Sequence, residues 1–386
     1  MVKPLDVCIR GGGIVGHTLA MLLARERLRV GLVAAPAPAH ADVRAYALNQ
    51  RSRALLQDLR CWPQEPDVTP VAAMFVKESG AATVHFHADQ LGVPALAWIV
   101  DVPALEAQLA QAVQFQPQIE RLDAPTEATL TVVCEGRASD SRTQLGVEQN
   151  VTPYDQWAIA ARLECELPHQ QAACQWFTAQ DVLGLLPLHG AGGNLMAAVW
   201  SIASGRKDEW MQAPQGQFEE RLLQVSEGRF GRMRLVSERA AWPLQLALAT
   251  RWTGVRDGKA WALAGDAAHT VHPLAGQGLN LGLADVQELA AAIHAKDYWR
   301  GVDDAKMLRR YERARKADVA MMATATDGLQ QLFARAAPPW QSVRNWGMRG
   351  FDNSGLIKAW VARQAMGLAS GKPGDTPPNT PIAPQT

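Results

Sequence analysis

The chain has 386 residues, 48% of them apolar, with 38 basic and 38 acidic side chains. That length and apolar fraction suffice for a sizeable core, in two domains or one large composite unit. The even charge balance gives no net field to draw in nucleic acid or an anionic membrane, and no window approaches a membrane span.

The N-terminus MVKPLDVCIRGGG carries Lys3, Asp6 and Arg10 within its short apolar stretch, which is not the pattern of a signal peptide. Five cysteines (Cys8, Cys61, Cys134, Cys165 and Cys174) are odd in number and have no C-x-x-C spacing. They read as reduced, mostly buried thiols of a cytoplasmic protein.

Residues 5–9 (LDVCI) predict a buried strand, GGGIVGHTLAMLLARE a turn running into a helix, and residues 29–33 (RVGLV) a second strand. Gly11, Gly13 and Gly16 fill the G-x-G-x-x-G positions of this βαβ unit. Gly11 would permit the tight turn and Gly13 the approach of a pyrophosphate. Gly16 would allow close helix packing, with first-turn amides, those of Ile14 and Val15 among them, facing the anion. Two positions depart from the usual pattern. The acid expected near Ala34 to hold the adenosine ribose is missing, and Arg10 replaces an apolar residue, its head expected in solvent or toward phosphate.

DVRAYALNQRSRALLQDL reads as a loop leading into a helix, followed by the short segments AATVHFHA and LAWIVDV. A β-rich stretch from about 151 to 242 then interrupts the nucleotide-binding unit, as expected of a second domain lying over a cofactor. In KAWALAGDAAH the chain returns to a strand with Asp266 at its carboxyl end, where ligands bind in open α/β sheets. An acid there can accept hydrogen bonds from ribityl hydroxyls. HPLAGQGLN supplies free amides before a helix starting near Asn280, whose positive end would stabilise charge on a flavin ring.

At GGGIVG, DVRAYAL, YDQWAIAARLECELPH, LLPL, AVWS, WPL and above all GDAAHTVHPLAGQGLNLGLADV, the chain up to about Leu368 resembles the flavin-dependent aromatic hydroxylases with the para-hydroxybenzoate hydroxylase fold. More narrowly, it is similar to the ubiquinone-biosynthesis hydroxylases. The resemblance implies an α/β fold: an FAD-binding, Rossmann-like βαβ domain, an interleaved β-rich substrate domain and C-terminal helices. The expected division is FAD-binding at 1–70, 98–150 and 252–300, substrate-domain strands at 71–97, a β-rich substrate domain at 151–251, a helical region at 301–369 and a disordered tail at 370–386.

The resemblance also implies noncovalent FAD. Gly11, Gly13 and Gly16 would meet the pyrophosphate, Arg44 the cofactor near its phosphates and flavin, and Asp266 the ribityl and phosphate oxygens. Pro273, Gly276, Gly278, Leu279 and Asn280 would line the isoalloxazine. The family's Asp-Gly after a strand stands here as Glu135-Gly136. The implied reaction hydroxylates an aromatic ring with O2 through a flavin C4a-hydroperoxide, NADPH or NADH being the reductant. Pro273 would belong to the chemical core, with His269 and His272 as supporting or proton-handling side chains.

No metal is expected, because His269 and His272 have no acid or cysteine set at ligand spacing. His85 and His87 share one strand face, on the solvated side or against the domain interface. Of thirteen tryptophans, Trp157, Trp176, Trp200 and Trp242 fall in the β-rich stretch, where an apolar substrate pocket is expected. LIKAWVARQAMGLA reads as an amphipathic helix. Substrate choice stays open between a polyprenylated phenol of ubiquinone biosynthesis and another small phenol. A non-catalytic scaffold is the reading from a different class. Homo-oligomerisation, contact with a biosynthetic complex and peripheral contact with the inner membrane are open as well.

Overall fold

The computed structural model describes residues 4–34, 42–78, 83–178, 181–271 and 278–334, with side chains up to 322. In chain order the strands are β1 (Leu5–Arg10), β2 (Val30–Val33), β3 (Ala45–Leu48), β4 (Val68–Pro70), β5 (Ala73–Glu78), β6 (Thr83–His87), β7 (Trp98–Asp101), β8 (Ile119–Leu122) and β9 (Ala128–Val133). They continue with β10 (Gln149–Cys165), β11 (Ala172–Phe177), β12 (Val182–Leu188), β13 (Leu195–Ala203), β14 (Met233–Leu235), β15 (Ala240–Ala249), β16 (Thr253–Arg256), β17 (Lys259–Leu263) and β18 (His269–Thr270). The α-helices are α1 (Ile14–Arg25), α2 (Gln50–Asp58), α3 (Val102–Gln114), α4 (Asp140–Gln144), α5 (Lys207–Gln212), α6 (Gln215–Val225), α7 (Gly278–His294) and α8 (Ala305–Ala334).

Among the described residues the first sheet runs β16-β17-β9-β1-β2-β8, parallel except for the edge strand β16. Its inner strands are near-continuous apolar runs because both faces are covered. Val7, Cys8, Ile9, Leu130, Val132, Ala262 and Leu263 are all fully buried. Helices α1, α3 and α7 pack their apolar stripes into the same core, where Leu19, Leu23, Leu109 and Val286 lose all exposure. Each such side chain contributes about 2 kcal/mol.

The second sheet runs β18-β15-β10-β13-β12-β11-β5-β6, with β14 beside β10. Trp176, Trp200, Trp210 and Phe218 form its core beneath α6. A small sheet, β3-β7-β4, joins the two halves. The expected loop before α2 is thus partly strand, since Ala45–Leu48 pairs antiparallel with β7. Nothing local to that stretch requires this; the partner strand, some fifty residues on, supplies the hydrogen bonds. The stretch assigned to the third FAD-binding segment also contributes to the second sheet. Ala247 and Leu248 pair with Thr270 and His269, stitching the two sheets together beside Asp266.

All five cysteines are buried and unbridged. Among the described residues no helix is long and apolar enough to cross a membrane, and no cluster of metal-ligating side chains occurs. The expected amphipathic C-terminal helix and the Pro-rich tail lie outside the described residues.

Candidate functional site: a glycine cradle beneath a second sheet

The turn after β1 lies between the carboxyl ends of its two neighbours. Gly11 N donates to Val33 O of β2 at 2.9 Å, and Cys134 N, just after β9, donates to Arg10 O at 2.7 Å. Gly11 has φ +114°, and a Cβ there would fall 2.4 Å from Cys134 O. At Gly16 a Cβ would meet the Gly11 carbonyl oxygen at 1.8 Å. Only glycine permits this turn to close against helix α1.

Gly13 differs, because a Cβ there would have no neighbour within 4 Å. It is the N-cap of α1, with no side-chain cap and no acid in the first turn. The first-turn amides therefore have no partner within the helix. Gly13, Ile14 and Val15 line a crevice together with Arg44, Tyr46, Asp266 and Gly278–Leu279. Free amides at a positive helix end facing a crevice form the donor set that a pyrophosphate takes.

Asp266 follows β17 and lines the same crevice. Burial pushes its carboxyl up, and His269, Arg137 and Arg44 pull it back only in part. Arg44 Nε donates to both oxygens of Asp42, at 2.8 and 2.9 Å, and Arg44 Nη1 donates to the Tyr46 hydroxyl at 3.3 Å. Burial would raise Asp42, but its hydrogen bonds and charge contact with Arg44 hold it below the usual carboxylate range. Burial raises both Tyr46 and Glu106, which face the crevice beside Arg44. Strand β15 lines the crevice as well, through Trp242, Pro243, Leu244 and Gln245, together with Thr270 and Val271.

The side chain of Asn280 anchors the start of α7. Its Oδ1 accepts from Asn49 N at 2.9 Å and Ser52 Oγ at 2.7 Å, while Nδ2 donates to Ala47 O at 2.8 Å, tying α7 to β3 and α2. Arg10 does not extend into solvent or toward a phosphate site. Its Nη1 donates to Ser141 Oγ at 2.9 Å, and that hydroxyl donates to Glu135 Oε1 at 2.5 Å. Glu135 Oε2 accepts from Ser139 Oγ at 2.7 Å and Ser141 N at 3.0 Å. Two departures from the family pattern thus belong to one network that braces α4.

Trp176 and Trp200 are core residues, whereas Trp242 lines the crevice. Trp157 lies under Lys207 Nζ, 5.1 Å from the ring centroid. His87 lines a separate groove with Phe75 and Arg229, and its ring stacks on His85. His272, Pro273 and Gly276 lie outside the described residues.

His269 is buried at 1% exposure, stacked on Trp252, with Nε2 2.6 Å from Asp285 Oδ2. Asp285 also accepts from Gly265 N at 2.8 Å and from Arg315 Nε at 2.7 Å. Burial would raise its carboxyl, but His269 and then Arg315 hold it below the ordinary range. The sequence reading missed Asp285, Arg315, Tyr46 and Glu106. The one legible signal was an acid on the buried face of α7, between Leu281, Val286 and Leu289.

A glycine cradle after β1, with an acid after β17 two strands along the same sheet, is the donor and acceptor set of a dinucleotide-binding protein. The chain belongs to the FAD binding domain family, whose model matches residues 87–326. It is 29% identical to 3-demethoxyubiquinol 3-hydroxylase of Escherichia coli, over 95% of this chain and 99% of that protein. It is 28% identical to ubiquinone hydroxylase UbiL of Rhodospirillum rubrum, over 97% and 92%. Among solved structures, p-nitrophenol 4-monooxygenase PnpA from Pseudomonas putida superposes with a TM-score of 0.76 at 16% identity, covering 95% of this chain and 99% of that one. PqsL of P. aeruginosa gives 0.73 at 19% identity, covering 90% and 100%. These two likenesses concern the fold.

Proposed function

We propose that this protein is a monooxygenase that hydroxylates the aromatic ring of a ubiquinone precursor, a polyprenylated phenol, using FAD, O2 and NADPH or NADH. The crevice carries the reading, lined both by the uncapped start of α1 and by Trp242–Leu244 of the second sheet. Bound FAD would supply electron transfer from the nicotinamide and activation of O2 for transfer of one oxygen atom.

The residues divide the remaining work. Gly11 and Gly16 shape the turn, Gly13 leaves room for the pyrophosphate, and the Ile14 and Val15 amides neutralise its charge. Arg44, fixed by Asp42, adds a positive group, and Asp266 accepts from ribityl hydroxyls. Its partial burial strengthens those bonds, because water competes poorly there. Gly278 and Leu279 border the ring, and by the family resemblance so do Pro273 and Gly276, with His272 nearby. Trp242, Pro243 and Leu244 exclude water over the site and offer an apolar face to the substrate. A polyprenyl tail partitions into a bilayer, so peripheral contact with the inner membrane or a biosynthetic complex belongs to the same reading.

The test is an absorbance spectrum of purified protein with and without FAD, then anaerobic reduction by NADPH and by NADH. It is followed by expression in an Escherichia coli strain lacking 3-demethoxyubiquinol 3-hydroxylase. A bound flavin that bleaches with nicotinamide, and restored ubiquinone, are the expected results. Protein that takes up no FAD removes the proposal; a reducible flavoprotein that restores no ubiquinone removes the substrate.

A further inference from the structure

We infer that Asp285 is the positioning residue of the flavin site, and that Arg315 makes the last long helix part of that site. The inference rests on the FAD reading above.

Asp285 lies in the second turn of α7, fully buried, and does not line the crevice. Three donors from three elements converge on its carboxylate: the Gly265 amide after β17, His269 at the start of β18, and Arg315 on α8. The approach is close on every side. Gly265 has φ +64°, and a Cβ there would lie 3.3 Å from Val15 Cγ2. A Cβ at Gly282 would lie 2.9 Å from the same methyl and 3.3 Å from Gly265 Cα. The carboxylate thus draws the Gly265 amide onto α7, with Val15 of the cradle packed against the same point. The next residue is Asp266, which lines the crevice.

The second donor reaches the second sheet. A carboxylate only accepts, so His269 Nε2 carries the proton of that bond. The imidazole is clamped between Asp285 and Trp252, and His269 pairs with Leu248 of β15, the strand that supplies Trp242–Gln245. The third donor, Arg315, has a side-chain exposure of 3% and also pairs with Asp318. Its neighbour Tyr311 donates to Leu263 O, at the end of β17, at 2.8 Å. One buried charge therefore sets the flavin-side turn and the substrate-side strand against each other, with α8 holding it from behind. Removing the carboxylate frees the Gly265 amide and leaves Arg315 only the half-exposed Asp318 as a charged partner.

The experiment compares apoprotein of wild type, Asp285→Asn and Asn194→Ala. Asn194→Ala is a stability control that loses one hydrogen bond, to Cys165 O in the second sheet, at a residue that does not line the crevice. FAD dissociation constants come from fluorescence titration, and flavin absorbance is recorded at saturating FAD. Asp285→Asn is expected to weaken FAD binding about tenfold, as for loss of one charge-assisted hydrogen bond, and to shift the saturated flavin bands. Asn194→Ala is expected to lower the melting temperature while leaving affinity and spectrum unchanged. Should Asp285→Asn show no cooperative unfolding, Arg315→Lys decides, since it keeps the charge but loses the fork geometry. Weaker binding with a shifted spectrum supports the inference; wild-type affinity and spectrum in the deciding variant overturn it. Wild-type protein that binds no FAD overturns the function proposed above instead.

Discussion

Gly16 stands so close to Gly11 that a Cβ at position 16 would fall 1.8 Å from the Gly11 carbonyl oxygen. The third glycine of the motif is thus required by the first, and the contact is backbone, which cannot swing aside. Gly16→Ala is expected to destabilise the apoprotein by about 3 kcal/mol, read as a lower urea midpoint. Gly13→Ala is expected to stay within about 0.5 kcal/mol of wild type, because nothing lies near its Cβ. It should nevertheless lose FAD affinity, since the added methyl occupies the space the pyrophosphate needs. Full FAD affinity in Gly13→Ala would remove the pyrophosphate from this turn.

Asp266 carries a pH signature. Its carboxyl is raised above the ordinary 3.8 by burial, so the folded state holds the proton more tightly than the unfolded chain. Stability is then greatest below the unfolded value, falls as pH rises toward the folded one, and carries a constant penalty beyond it. Asp266→Asn removes the ionisation. The apoprotein variant is expected to melt higher than wild type at neutral pH, with the gain vanishing below about pH 4. The same variant should bind FAD more weakly. Calorimetry of both apoproteins across pH checks the sign, and equal melting temperatures throughout would refute it.

Ala34 follows β2, and a Cβ at Gly12 would touch its methyl at 2.4 Å. A glutamate at position 34 therefore emerges beside the glycine turn, where a ribose clamp belongs. Ala34→Glu is expected to tighten FAD binding about tenfold by adding one charge-assisted hydrogen bond. A titration showing no tightening would mean that the adenosine ribose lies elsewhere.

Glu135 spends both oxygens on Ser139 and Ser141. Glu135→Ala is expected to lower stability by about 2 kcal/mol, because buried donors lose their acceptor. FAD affinity should stay within about twofold, as for sites without shared partners. A large loss of affinity with unchanged melting would instead place the carboxylate on the cofactor.

Much of this was legible in the sequence, and the reason is local. Strand β1 with helix α1 follows from an apolar run, three glycines at fixed spacing and a helical stripe within twenty-five residues, and Gly16 has its steric cause five residues back, at the Gly11 carbonyl. Asp266 at a strand end is legible in the same way, and the helix expected from near Asn280 begins two residues earlier, at Gly278. Side-chain partners across long separations were not. The bond from the Asn280 side chain to Ala47 O, 233 positions away, exists only once α7 meets β3. Arg10 and Glu135 read as isolated departures until a fold across 131 residues brings Ser141 between them. Asp285 reads as one acid in a helix until Arg315, thirty residues on, and the Gly265 amide close around it. By itself the sequence determined the cradle's backbone, because steric limits and periodicity act between neighbours. Only the tertiary structure decided which buried charges and amides hold that cradle in place, because those bonds exist only once distant elements have packed.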